Sequence, residues 1–399
     1  MTTLSTTPSA RHLTGFWFVA AAFLTLMAFG TVPTPLWPIY QVRDHFGAIT
    51  VTVAFAVMVI GAAGSLGFLG HLSDRFGRRR IILPALLTGI ASAVVLAAWP
   101  QLPGLLIGRV LTGLAVGLMA STATAYLTDL YRVARPGAAL GFPALVATVS
   151  NLGGLALGPL VAGVLAQWAP APVHTGYIVF GALMVVLLVL VLSSPETVDT
   201  ASAGRERPVR FAVRADQRGT FAVASALGFF AFAVMGLFSS LGAIIVRGEL
   251  HITSYFVSGL APFVTFAASA VAQLAVGRTA YRRVLVLGSV LFPAGLALTA
   301  VSLYRPALWL FLVAAALAGA GAGLLFKSAV AETLVTAEPA SRAGVLAMFF
   351  VISYVGMGLP SIAFSLVIRH LALQPTMIAF AAVLSVGTLA AVTRSVRKR

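Results

Sequence analysis

Four ionisable residues lie within or beside long apolar stretches of the sequence, where a charge is costly. They are Arg109, Lys327, Glu332 and Asp44. On insertion scales a charge in hydrocarbon costs on the order of 2.5 to 3.5 kcal/mol, so each is expected to face a cavity or a partner unless it snorkels to the nearer surface. A desolvated carboxyl can take up a proton near neutral pH. Glu332 and Asp44 are therefore candidates for a group that binds and releases a proton.

The sequence gives little support for metal binding, nucleotide binding or enzymatic catalysis. The chain has no cysteine and only six scattered histidines, which argues against disulfides, thiolate metal sites and histidine clusters. It contains neither an HExxH pattern nor a GxxxxGK[ST] phosphate loop. We therefore expect no metal, no cofactor, no nucleotide-driven step and no intramembrane enzyme site.

The composition explains why a charge would be costly in most of the chain. Of 399 residues, 60% are hydrophobic and only 9% are charged, whereas soluble proteins carry about 25% charged residues. An integral membrane protein is predicted. The net charge of +16 would suggest nucleic-acid binding in a soluble protein, but that interpretation fails if the basic residues lie between membrane spans.

Twelve apolar stretches are each long enough to cross about 30 Å of hydrocarbon as a helix. Their continuous Ala, Leu and Gly content lacks the alternation of a β-barrel strand. The predicted fold is all-α, with twelve spans over approximately 16–40, 49–70, 80–99, 104–126, 138–166, 175–193, 220–246, 255–275, 284–303, 307–330, 344–368 and 375–393.

The loops divide sharply by Lys and Arg content. Twenty of the 26 basic residues fall on the side that holds both termini, four on the other side and two inside spans. The positive-inside rule then places both termini in the cytoplasm of a bacterial cell, with the protein in its cytoplasmic membrane. The positive charge reflects this topology and contact with anionic lipid, and we expect no nucleic-acid partner. Residues 1–11 show no pattern of a removable signal peptide.

An internal repeat divides the chain. The polar linker 194–219 separates six spans in 1–193 from six in 220–399, and four landmarks recur 206 or 207 residues apart. These are Gly70 with Gly277, Gly113 with Gly319, Gly117 with Gly323, and Arg135 with Arg342. Because six is even, the halves are predicted to be parallel repeats about an axis along the membrane normal.

The loop after the second span reads GHLSDRFGRRR, from Gly70 to Arg80. It resembles the signature loop between spans 2 and 3 of the major facilitator superfamily. The resemblance implies a latch between the two halves in the outward-facing state, with an acidic residue that ends span 4 as its partner. The residues that match are Gly70, Asp74, Arg75, Gly77, Arg78 and Arg79, with Asp129 as the span-4 acid.

Two further segments resemble motifs of the drug:proton antiporters in that superfamily. GRVLTGLAVG in span 4 places Arg109 where the family has a buried arginine that influences the proton site. NLGGLALGPLVAG in span 5 resembles the antiporter motif, and this favours export. Small residues permit close helix packing, and a proline permits a kink. The hinge residues are Gly154, Gly158, Pro159 and Gly163.

Span 1 ends in PTPLWPIYQ, whose three prolines should break its helix. The body of this span lacks the carboxylate that many proton-coupled exporters carry there. The proton carrier is left open between Glu332 and Asp44, with Arg109 and Lys327 as further coupling candidates. Residues expected to line the substrate cavity are Pro33, Thr34, Trp37, Asn151, Ser239, Ser240, Ser353 and Tyr354.

The sequence therefore predicts a secondary transporter, functional as a monomer. The leading hypothesis is proton-coupled export of small lipophilic or amphipathic compounds by alternating access. The alternative is a proton-coupled importer of a small metabolite or sugar.

Overall fold

The computed structural model describes residues 8–70, 72–198, 212–277, 279–338 and 341–397. The linker arginines at 205, 207 and 210 lie outside these residues, as do Arg278 and the last two residues of the chain. Almost all of the described chain is helical, which confirms the predicted fold class.

Twelve helical segments of the described chain are long and apolar enough to cross a membrane. We number them spans 1 to 12: Ala10–Asp44, Ala48–Leu69, Arg78–Ala98, Leu102–Ala134, Gly141–Trp168, Pro172–Leu192, Ala215–Gly248, Tyr255–Ala275, Tyr281–Tyr304, Leu308–Thr336, Gly344–Val367 and Leu373–Arg397. A short helix, Leu72–Phe76, lies between spans 2 and 3. Span 11 belongs to the helix Arg342–Val367.

Span 1 is broken where its prolines lie. The helix Pro8–Thr31 ends before Pro33, a 3-10 turn covers Thr34–Leu36, and a second helix covers Trp37–Asp44. The predicted end at residue 40 was too early. Trp37 and Tyr40 of the second helix are buried, so burial on one face holds the helix together as far as Asp44.

Spans 5 and 7 are also composite. Span 5 consists of the helix Gly141–Thr148, a π-helical turn over Val149–Gly153 and the helix Gly154–Trp168. In span 7 the 3-10 turn Ala215–Gln217 precedes the helix Arg218–Gly248.

Span 4 also extends beyond the predicted end at residue 126. Its helix continues to Ala134, so Asp129 lies inside a helix rather than at its end. Tyr126, Leu127 and Leu130 are fully buried, and the Tyr126 hydroxyl donates to the carbonyl of Pro195 at 2.6 Å. Packing against the chain that follows span 6 extends this helix past the apolar stretch.

The glycine landmarks make equivalent contacts in the two sets of six spans. A Cβ on Gly113 of span 4 would lie 2.1 Å from the Met58 carbonyl oxygen of span 2, and one on Gly319 of span 10 would lie 2.2 Å from that of Thr265 in span 8. Gly117 and Gly323, one turn further along, face Ser65 and Ser269 in the same way. These close helix contacts support the internal repeat, because glycine allows backbones to approach where no side chain fits.

We use two names for the ends of the molecule. The arginine-rich end contains the short helix Leu72–Phe76 between spans 2 and 3, and the far end contains the turn between spans 1 and 2. The first six and last six spans pack together through span 2 with span 11 and span 5 with span 8.

Candidate functional site

Arg109 is buried between spans 1, 2 and 4, with only 1% of its surface exposed. Its guanidinium donates to the carbonyl of Gly30 at 2.9 Å and lies 2.8 Å from the sulfur of Met58. It also lies 5.9 Å from the ring centre of Trp37. Among the described residues no carboxylate pairs with it, and its Nε has no hydrogen-bond partner. The charge is therefore held by neutral groups and an aromatic face.

Polar groups continue from this arginine towards the far end. The hydroxyls of Tyr40 and Tyr177 are 3.0 Å apart in a buried hydrogen bond. The Arg43 guanidinium lies 5.1 Å from the Tyr40 ring centre and forms an ion pair of 2.5 Å with Asp44. Asp44 accepts from two nitrogens of Arg43. This acid is therefore neutralised by a neighbour at the tip of span 1.

Three hydrogen-bonded contacts join the first six spans to the last six at the far end. The Trp37 indole donates to the carbonyl of Ser239 at 3.2 Å, and the hydroxyls of Thr52 and Ser365 are 2.7 Å apart. The Gln167 side chain accepts from Ser254 and from the backbone of the residue after it. The far end is closed in this conformation.

The span-5 glycines lie at two helix contacts. Gly154 and Gly158 face span 1, where a Cβ would lie 2.4 Å from the Leu24 carbonyl and 2.1 Å from the Ala28 carbonyl. Gly163 faces span 8, where a Cβ would lie 3.0 Å from the Tyr255 carbonyl oxygen. The predicted hinge residues therefore lie where span 5 meets both span 1 and span 8.

Pro159 completes this arrangement. It has no N–H to offer to the carbonyl of Leu155 four residues earlier. That carbonyl instead accepts from the Thr31 hydroxyl of span 1 at 3.1 Å. On the other side, a Cβ on Gly259 of span 8 would lie 2.3 Å from the Pro159 carbonyl. Pro159 thus links span 1 and span 8.

In the signature-like loop, Arg78 is the centre of the ionic contacts. Its guanidinium pairs with Asp74 at 2.5 Å and Asp129 at 3.3 Å, and donates to Ser73 at 2.8 Å. The Asp74 side chain is 59% exposed, so it is bound within its own loop and not packed between helices. Gly77 adopts a φ of 108°, which side-chain-bearing residues avoid. Gly70 packs against span 4, close to Ser121.

Glu196, which follows span 6, contacts this loop and was not identified from the sequence. Its carboxylate accepts from the backbone N–H groups of Arg78 at 2.8 Å and Arg79 at 3.1 Å, at the N-terminus of span 3. A Cβ on Gly77 would lie 2.5 Å from this carboxylate. Arg79 in turn donates to the carbonyls of Leu192 and Ser194. The segment after span 6 therefore fixes the loop through a capped helix terminus.

Lys327 and Glu332 make separate contacts near the arginine-rich end. The Lys327 ammonium donates to the carbonyls of Gln273 at 2.6 Å and Gly277 at 3.4 Å, where span 8 ends. Glu332 is 4% exposed and accepts from the hydroxyls of Tyr281 at 2.7 Å and Ser395 at 3.2 Å. It is the buried carboxylate among those the structure describes. As the spacing of five residues predicted, the two do not pair.

The expected cavity residues fall into two groups. Pro33, Thr34, Trp37, Ser239, Ser240 and Ser353 are buried. Ser240 and Ser353 donate to carbonyls of their own helices, four residues earlier. Asn151 and Tyr354 are only partly buried, and their side chains make no hydrogen bond to any described residue. Asn151 lies in the π turn of span 5, and such turns often occur at functional sites.

A model of the Major Facilitator Superfamily matches residues 18–282, more than half of the chain. The chain belongs to this superfamily. Among curated relatives, the glucose transporter GlcP of Staphylococcus epidermidis is 40% identical over 81 residues, 20% of this chain and 18% of the relative. The multidrug resistance protein MdtG of Proteus mirabilis is 33% identical over 157 residues, 38% of this chain and 37% of that protein. The chain thus matches less than two fifths of the length of either.

A solved structure gives the same architecture over nearly the whole chain. A mutant of the nucleoside transporter NupG superposes with a TM-score of 0.75, covering 96% of this chain and 99% of that one, at 14% identity. At this identity the likeness shows the fold alone. This chain is therefore a multi-pass member of the superfamily, and the relatives that it matches include a multidrug resistance protein and a glucose transporter.

Proposed function

We propose that this transporter exports small lipophilic or amphipathic compounds in exchange for protons. Residues 1–193 and 220–399 would move as two bundles about a central path, joined by the linker 194–219. The observation that carries the proposal is the position of the span-5 glycines, which pack directly on span 1 and span 8 where the bundles meet. Similarity to a multidrug resistance protein supports export.

Basic residues support the orientation. The arginine-rich end would face the cytoplasm of a bacterial cell and the far end its exterior, with the protein acting as a monomer in the cytoplasmic membrane. The far end is closed and the carboxylate of Asp74 is exposed. This conformation would then be open towards the cytoplasm, with the signature loop released from the second bundle.

Proton uptake is assigned to Glu332. It is buried and its partners are hydroxyls, which can donate to a carboxylate and also accept from a carboxylic acid. Asp44 is instead bound by two nitrogens of Arg43. Arg109 is buried without a carboxylate partner, so it would shape the local field and hold span 1 in place without carrying the proton.

Inverted membrane vesicles test this assignment. With an imposed proton gradient, wild-type vesicles should accumulate an exported compound, and Glu332→Gln should abolish the dependence on the gradient. Asp44→Asn should retain it, as should the control Glu338→Gln, whose carboxylate is exposed at the same end as Glu332. Full retained coupling in Glu332→Gln would contradict the assignment.

An import function is the second candidate, and similarity to the glucose transporter GlcP favours it. Expression in an efflux-deficient host separates the two. The exporter should raise resistance to members of a broad compound panel, while an importer of a metabolite should change growth on that metabolite and leave resistance unchanged. Accumulation in inverted vesicles distinguishes them directly, since only the exporter fills them.

A further inference from the structure

Five aromatic rings on spans 7, 10 and 11 form one cluster. We call Phe232, Phe326, Phe349, Phe350 and Tyr354 the aromatic cluster. The Phe326 ring is central, with centroids 5.1 Å from Phe232, 5.7 Å from Phe349 and 5.8 Å from Phe350. Phe232 and Tyr354 meet edge to face at 5.5 Å. These distances are those at which aromatic rings attract one another, and the same geometry would accept one further ring.

The cluster lies within spans 7, 10 and 11, away from their ends, and is not closed off. Phe232 is near the middle of the helix Arg218–Gly248, and Tyr354 is near the middle of the helix Arg342–Val367. Phe349 is fully buried, while the other four members are only partly buried. A Cβ on Gly228 of span 7 would lie 2.7 Å from the Phe349 ring. The absence of that side chain leaves room for the buried member, and the rest of the cluster presents a surface.

The hydroxyl of Tyr354 bears on whether this surface faces lipid or the path between the bundles. It bonds to no described residue, and Tyr354 is only partly buried. Lipid tails offer no hydrogen-bond partner at this depth, so a free hydroxyl there has to meet water or a ligand. The same reasoning applies to the Asn151 amide on span 5. This favours a position of Tyr354 on the path between the bundles, where its hydroxyl would supply the cluster with one polar contact.

Charge selects what can bind to this surface. The described carboxylates lie elsewhere: Asp44 and Glu249 at the far end, Glu332 among hydroxyls and the others at the arginine-rich end. The charge nearest along the chain is the cation Lys327, directly after Phe326. A cation bound at the cluster would find no described carboxylate to pair with, and burying an unpaired charge is costly.

We propose that the aromatic cluster binds the transported compound, and that this compound is a planar aromatic molecule with a hydrogen-bonding group and no positive charge. Its ring would stack against Phe326 and Phe232, and its polar group would bond to the Tyr354 hydroxyl. The proposal rests on the proposed export function and narrows its substrates to neutral and anionic aromatics.

Calorimetric titration of the purified full-length protein tests this with four probes. These are 1-naphthaleneacetamide, 1-naphthaleneacetate, (1-naphthylmethyl)trimethylammonium and cyclohexylacetate. The neutral and anionic naphthalenes should bind, and the cation and the aliphatic acid should bind at least about tenfold more weakly. Tyr354→Phe should weaken the amide by about 2- to 13-fold, the effect of one lost hydrogen bond.

Phe326→Leu should weaken both binding naphthalenes. The matched control is Phe380→Leu on span 12. It removes a similar ring contact, in which the centroids of Phe380 and Phe364 are 5.3 Å apart, and it should leave binding unchanged. Equal binding of the cation, or equal effects of Phe326→Leu and Phe380→Leu, would overturn the proposal. Naphthalene binding that fails while inverted vesicles still export aliphatic or cationic compounds overturns the substrate class alone. Loss of all proton-driven export overturns the proposed function itself.

Discussion

Replacing Trp37 by Phe should shift the transporter towards a conformation with an open far end. The Trp37 indole donates to the Ser239 carbonyl across the two sets of spans, and both residues are buried. Phenylalanine retains most of the apolar area but has no donor, so the carbonyl loses its partner in the closed state alone. In the open state this carbonyl can meet water.

The expected shift follows from the value of one hydrogen bond. A net contribution of about 0.5 to 1.5 kcal/mol corresponds to a change of about 2- to 13-fold in the ratio of open to closed molecules. The weak attraction between the Arg109 guanidinium and the ring of Trp37, at 5.9 Å, should change little because phenylalanine also presents an aromatic face.

Spin labels can report this ratio, because the chain has no cysteine and each introduced one is unique. Gly47 and Gly248 lie at the far end on opposite sets of spans, and a Cβ at either would meet open space. In a Gly47→Cys, Gly248→Cys protein, pulsed electron paramagnetic resonance should show a larger long-distance fraction with Trp37→Phe. The control is Trp309→Phe, whose ring is 68% exposed. Identical distance distributions for the parent and both tryptophan variants would refute the reasoning.

Two further predictions concern stability. Glu196→Gln should lower the thermal midpoint in detergent, with a loss of about 1 to 3 kcal/mol in the free energy of unfolding, because one of the two oxygens that accept from the backbone is replaced by a donor. The exposed Glu338→Gln is the control and should leave the midpoint unchanged. An unchanged midpoint for both variants would contradict the capping role of Glu196. Gly113→Ala should reduce the yield of folded protein in size-exclusion chromatography, because the new Cβ would lie 2.1 Å from the Met58 carbonyl. The control is Gly64→Ala, whose new Cβ would meet open space, so this helix substitution should be neutral or stabilising by up to about 1 kcal/mol. Equal yields for Gly113→Ala and Gly64→Ala would show that spans 2 and 4 can separate without cost.

Features that depend on neighbouring residues were predictable from the sequence. Hydropathy located all twelve spans, because a lipid environment requires long apolar helices. The span-5 glycines Gly154 and Gly158 predicted close helix contacts, and the three prolines predicted the break in span 1. In each case a short pattern determines the local outcome.

Contacts between distant residues were not predictable in this way. Glu196 caps span 3 from a position 118 residues away, and the only signal was an acid directly after span 6, beside an arginine-rich loop. The sequence left open whether Glu332 has partners or snorkels to the surface, and its partners Tyr281 and Ser395 come from the distant spans 9 and 12. Hydropathy also ended span 1 too early, since it does not register that Tyr40 is buried against Tyr177.

The position of Glu332 suggests how proton binding and substrate binding are connected in this transporter. Span 1 offers Arg109 a carbonyl and an indole ring, and none of the described carboxylates pairs with this arginine to exchange protons. Glu332 lies instead on span 10, the helix that also carries Phe326 and Lys327. In the proposed scheme, protonation would weaken the hold of Glu332 on the Tyr281 and Ser395 hydroxyls, because charged acceptors form the stronger hydrogen bonds. Span 10 could then shift against spans 9 and 12 and displace Phe326 from the ring of a bound aromatic compound. Coupling would thus pass along one rigid helix and would require no acid in span 1.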